Sequence, residues 1–155
     1  MQAARMNTDG ESRTFAVVFD TDDNVLDGLL GFARDEGINA ASFTAIGAFR
    51  RATLGFFDPE RKEYLEIPVD EQVEVLALTG NIGVHGGETK LHAHVVLGTR
   101  HGVARGGHLL AATVRPTLEV IVEESRSVLR RRIDDATGLP LIDLSAKRTR
   151  RSAAG

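Results

Sequence analysis

Only one stretch of this sequence repeats its apolar residues at the period of a helix, and that asymmetry constrains the fold more than anything else in it. Leu26, Leu29, Leu30 and Ala33 recur at i, i+3, i+4 and i+7, the spacing of a single helical face. Thr21, Asp22, Asp23 and Asn24 precede them; each can cap a helix N-terminus, and the two acids suit the positive end of its dipole. Gly37 stands where a left-handed C-terminal stop belongs. The pattern predicts a helix over residues 24–36.

The remaining apolar segments read as strands. Residues 13–20, 42–48, 52–57, 63–67, 72–82, 91–97, 103–110 and 117–123 are short runs with β-branched or alternating residues. Asp58-Pro59 makes a turn, Pro68 ends a strand, and residues 83–90 form a glycine-rich loop. Residues 72–82 are apolar on both faces, which places that strand inside the sheet. One helix beside many closely spaced strands predicts an α+β fold with a mostly antiparallel sheet of about seven strands. A chain of 155 residues suits a single domain. Its expected organisation is a flexible leader at 1–12, a folded domain at 13–145 and a basic, disordered tail at 146–155. Near the end, Leu129 and Ile133 suggest one apolar helical turn, broken at Gly138-Leu139-Pro140, with Leu141, Ile142 and Leu144 tucked against the body.

Charge and composition exclude several functions. With no cysteine, the chain has no disulfide, thiolate metal site or cysteine nucleophile. No apolar run approaches the ~20 residues that cross a bilayer, and residues 1–11 lack the apolar centre of a signal peptide; a cytoplasmic protein is expected. Lys147, Arg148, Arg150 and Arg151 hold four of the 19 basic residues and the tail holds no acid, so residues 1–146 carry 15 cations against 22 acids, a net of −7. Such a body repels phosphate backbones.

The histidines carry the chemistry. His92 and His94 are i and i+2 on a predicted strand, so both point to one face. Residues 97–104 can bend a hairpin, and if it centres near His101, His94 faces His108 across the ladder. A two-residue slip would bring His92 opposite instead; a one-residue slip would turn His108 to the wrong face. Opposed Cβ atoms stand ~4.5–5.5 Å apart, close enough for three imidazoles to reach one ion. Three neutral histidines with an open fourth position make a catalytic-type zinc arrangement, and nickel, copper and iron also accept imidazole. The alternative for these residues is a solvated, hydrogen-bonded polar face. His85, in the glycine-rich loop, can approach the site, whereas His101 falls at the turn. The stretch 83–87 lacks the lysine and spacing of a P-loop. Arg130, Arg131 and Arg132 read as a solvated basic face, and Glu74, Glu88 and Glu119 are acids with no assigned role.

Several segments together resemble one family. EVLALTGNIG (74–83), LHAHVVLG (91–98) and GGHLLAATVRPTLEVIVEE (106–124) resemble the central strand, the H-x-H segment and the G-G-H segment of the plants and prokaryotes conserved (PPC) domain. GAFRRATLGFFD (47–58) and RRRIDDATGLPLIDL (130–144) are similar to further segments of that family. The resemblance implies a mostly antiparallel sheet with one main helix, and a homotrimer. It also implies that His92, His94 and His108 bind a divalent metal, zinc first. Plant members join the domain to AT-hook motifs and assemble nuclear proteins; this chain has no R-G-R-P core, and KRTRR (147–151) is merely basic. Three functional expectations follow: a trimeric, metal-binding binding or regulatory module; a metal-dependent enzyme acting on a small molecule; and a DNA-associated protein whose basic tail binds nucleic acid weakly.

Overall fold

A computed structural model describes residues 1–7 and 12–145 of the chain; the basic tail expected at 146–155 lies outside them. The elements in order are β1 (Gln2–Arg5), β2 (Thr14–Phe19), α1 (Val25–Asp35), β3 (Ala41–Asp58), β4 (Glu63–Val69), β5 (Val73–His85), β6 (Glu88–Gly98), β7 (Ala104–Glu124), β8 (Arg131–Ile133) and β9 (Pro140–Ile142). The architecture is α+β, with one helix and a seven-stranded sheet in the order β1-β2-β7-β6-β5-β3-β4, all pairs antiparallel. β7 pairs with β3 as well, from Ala41↔Glu124 to Gly55↔His108. The ladder β3-β5-β6-β7 therefore closes on itself, and its interior is filled by Phe43, Phe49, Leu54, Leu78, Ile82, Leu97 and Val114, all buried.

The helix forms where the apolar period places it. Asn24 caps it, accepting from the Asp27 amide at 3.1 Å. At the other end the amides of Gly37 and Ile38 return to the carbonyls of Arg34 and Ala33, at 3.1 and 2.8 Å, satisfying carbonyls that a helix end leaves open. Val25, Leu29, Phe32 and Ala33 are its buried face, and the helix lies against β6 and β7. Arg13 anchors its C-terminal end, donating to Glu36 at 3.0 Å and to Glu124 of β7 at 2.8 Å.

Long strands replace several of the shorter ones expected. Residues 42–48 and 52–57 belong to one strand, β3, bent at register shifts between Ala45 and Gly47 and again beyond Gly47. Residues 103–110 and 117–123 are likewise one strand, β7; Pro116, which has no amide to give a ladder, sits where the register slips between Val114 and Leu118. The glycine-rich loop is a tight hairpin: β5 runs on to His85, Gly86 and Gly87 turn with φ of 59° and 85°, and β6 begins at Glu88. Positive φ at both central residues is what glycine permits in such a turn.

Three expectations near the ends are corrected. Gln2–Arg5, read as part of a loose leader, pair with β2 from Gln2↔Val18 to Arg5↔Phe15. Their side chains are all exposed, so the backbone ladder holds this strand, helped by the Met1 ammonium paired with Asp20 and Asp23 at 3.0 and 2.8 Å, and no apolar alternation announces it. Leu129 and Ile133 form no helical turn, because β8 pairs with β9 in a small hairpin. Leu141, Ile142 and Leu144 are exposed instead of packed on the body.

Candidate metal centre

The register of two ladders builds a histidine cluster. In β6, alternation puts Ala93 and Val95 into the core and His92 and His94 on the outer face. The turn from Thr99 to Val103 closes with Thr99 N–H to Val103 O at 2.9 Å and Gly102 N–H to Thr99 O at 2.9 Å. That turn length sets the pairing His94↔His108, Gly98↔Ala104, the even register in which all three imidazoles share a face. Ring centroids lie 5.1 Å apart for His92–His94, 5.1 Å for His92–His108 and 5.2 Å for His94–His108.

These rings fit an ion. One nitrogen from each can be chosen so that all lie within 4.8 Å of one another. The Nε2 atoms of His92 and His94 are 3.2 Å apart. Two nitrogens bound tetrahedrally to zinc at ~2.05 Å would be ~3.3 Å apart, so this pair already has the required span. Burial, aided by the neighbouring imidazoles, lowers the pKa of His108 to about 4. Burial also lowers that of His92, with help from His94 and from the Arg131 cation. Both shifts favour the neutral, metal-binding form.

Two hydrogen-bond donors, Tyr64 and Arg131, stand beside the cluster. Tyr64 of β4 stacks on His108 with centroids 4.6 Å apart, and its hydroxyl stands 3.5 Å from His108 Nδ1. It reaches over β3 where Gly55 leaves room; a Cβ there would stand 2.8 Å from Tyr64 Cδ1. Burial raises the Tyr64 pKa, so the phenol stays protonated. Asn81 of β5 pairs with His92 in register, and its Oδ1 accepts a hydrogen bond from Arg131 Nη2. Arg131, read from the sequence as part of a solvated face, is only 9% exposed. On the other side of the cluster, where β6 parts from β7, His108 lines a groove of about 600 Å³ with Leu26, Arg34, Glu88, Lys90 and Leu110.

The remaining candidates stay apart. His85 Nδ1 is 3.0 Å from the Arg131 carbonyl oxygen and is not among the clustered ligands. His101 is exposed at the hairpin turn. Glu119 is exposed opposite Val18 and Ile46, Glu74 is exposed opposite Ala48 and Gly98, and Glu88 pairs with Lys90 at 2.7 Å. Tyr64 and Arg131 were missed because they arrive from β4 and β8, through strand neighbours that no local pattern specifies.

The profile of the Plants and Prokaryotes Conserved domain, abbreviated PCC or PPC, matches residues 6–126. The chain belongs to this family. Solved PPC-like structures agree with the fold. A PPC protein of Pyrococcus horikoshii is 30% identical with a TM-score of 0.81, the match covering 91% of this chain and 100% of that one. A protein of Archaeoglobus fulgidus described as metal-containing is 34% identical with a TM-score of 0.78, covering 92% and 99%. A Bacteroides thetaiotaomicron protein, provisionally named as DNA-binding, is 28% identical with a TM-score of 0.83, covering 93% and 99%. No curated protein matches the chain. No helix among the described residues of this PPC-domain protein is long and apolar enough to cross a membrane.

Proposed function

We propose that this PPC-domain protein is a cytoplasmic homotrimer that binds one divalent ion, zinc first, through His92, His94 and His108, and acts as a binding or regulatory module. The convergence of three imidazole nitrogens within 4.8 Å carries the metal reading. The metal-containing A. fulgidus relative supports it. When bound, the ion would supply a Lewis-acidic position open to a fourth ligand. The chain's own part is to present three imidazoles on one sheet face, to keep His92 and His108 neutral by burial, and to seat the His108 ring against Tyr64.

Exposed apolar side chains on the strands support self-assembly. Ile46, Phe56 and Leu76 are each more than half exposed, and Val96 and Ile121 are also open; such surface favours subunit contact. Sedimentation of the full chain tests this: a trimer is expected, and a stable monomer at micromolar concentration would refute it. Elemental analysis of untagged protein after dialysis tests the metal.

The groove beside His108 favours a second reading, a metal-dependent enzyme acting on a small molecule, because it gives a ligand a path to the ion. A DNA-associated role has less support. The provisional name of the B. thetaiotaomicron relative points to it, but the body's net charge of −7 opposes it and leaves only the basic stretch at 147–151.

A further inference from the structure

Arg131 is a buried cation that meets no anion among the described residues. Its Nη1 donates to the Pro140 carbonyl at 2.8 Å and its Nη2 to Asn81, both neutral acceptors. No ion pair with an acid is formed by Arg131 among the described residues. Its Nε–H is shielded from solvent and has no acceptor. A buried charge is ordinarily paired, and an orphaned buried donor calls for an explanation.

Its position supplies one. Asn81, which holds Nη2, is the cross-strand partner of His92, so the guanidinium is tied to the strand position directly opposite a cluster ring. A divalent ion on three neutral histidines would add two more positive charges beside this one. No carboxylate joins the cluster among the described residues to offset them. With an ion bound, the cluster and Arg131 together would present a concentration of positive charge that suits an anion at the ion's open position.

We propose that Arg131 is a specificity-determining residue, and that with the ion on His92, His94 and His108 it holds a carboxylate, one oxygen on the metal's open position and the other on the guanidinium. The inference rests on the metal reading given above. Two anchoring points match the two oxygens of a carboxylate. A phosphate would leave further oxygens needing donors; Tyr64 reaches His108 from β4 across β3, whereas Arg131 bonds Asn81 on β5. The carboxylate belongs either to a small organic acid or to an Asp or Glu of a second copy of the chain.

Full-length protein loaded with Co²⁺ tests this, with acetate as the probe. Cobalt content per chain is measured first; failure to load removes the metal reading and is distinct from failure of the carboxylate site. With cobalt bound, acetate should shift the visible bands saturably. Arg131→Gln should keep its cobalt and bind acetate ~10-fold or more weakly, as expected on losing a hydrogen bond to a charged group; Arg131→Lys should fall between it and the native protein. If a second copy supplies the carboxylate, acetate shifts the bands only when the assembly is diluted into monomers, and Arg131→Gln alters the spectrum of the assembly itself. Equal acetate affinity and equal spectra for native and Arg131→Gln would overturn the proposal. Should neither variant fold, the native protein decides: cobalt bands that ignore acetate in both the assembled and the diluted states overturn it equally.

Discussion

Acidifying the metal-free protein from pH 7 to pH 5 should destabilise it, and His108 sets a scale for the loss. Burial beside two other imidazoles lowers its pKa to about 4, against ~6.5 in an unfolded chain. Between those values the unfolded state binds a proton that the folded state refuses, so stability falls as pH drops through this window. Linkage gives ~2 kcal/mol for one such imidazole at pH 5. The ring is partly exposed, so solvent screening reduces the expectation to about 1 kcal/mol. His92, shifted in the same direction, adds to the loss. At pH 5 the depressed carboxylates Asp23, Glu88 and Asp134 remain ionised, so the histidine effect stands clear of theirs. Urea unfolding at the two pH values, on native protein and His108→Gln, measures it. The variant should lose about 1 kcal/mol less on acidification. An equal loss in both proteins would refute the account of His108 as a ring held neutral by burial.

Three further outcomes are expected. Gly80→Ala should cost ~1–3 kcal/mol by overpacking, because its Cβ would stand inside contact distance of Phe43 Cζ and the His92 carbonyl; it should also weaken metal binding by moving the ligand strand, read by unfolding and metal titration. Phe49→Ala, at a fully buried ring in the closed ladder, should cost ~3–5 kcal/mol in thermal or urea unfolding. Duplex DNA should bind the full chain weakly, with a steep loss on added salt and no sequence preference, because cations at 147–151 meet phosphates alone; submicromolar, sequence-selective binding at physiological salt would contradict this.

What the sequence discloses follows the range of each signal. The helix was legible because its cap, apolar face and stop all lie between Asn24 and Gly37. The histidine register was legible because one short hairpin and the two-residue period of a strand decide it. β3 and β7 were split because bulges interrupt alternation exactly as turns do, and only pairing with a distant strand tells them apart. β1 gave no signal because its side chains are all exposed and show no apolar alternation. Arg131 read as surface because burial of a cation depends on β8 settling against β5, which contact Val84↔Arg130 accomplishes. Tyr64 depends on β4 crossing beside β3 at Gly55, a relation between chain segments that no local spacing encodes.

The most direct test of the central claim is metal content per chain after dialysis at pH 7, for native protein and single alanine variants at each of the five histidines. Native protein should retain about one ion per chain, held by three ligands. His92→Ala, His94→Ala and His108→Ala should lose it, since two imidazoles hold a divalent ion poorly against water and each of these rings belongs to the cluster. His101→Ala should keep it, because that ring is exposed at the hairpin turn. His85→Ala should keep it as well, because that imidazole is engaged with the Arg131 carbonyl. A His108→Ala protein that retains its metal while His101→Ala or His85→Ala loses it would contradict the site.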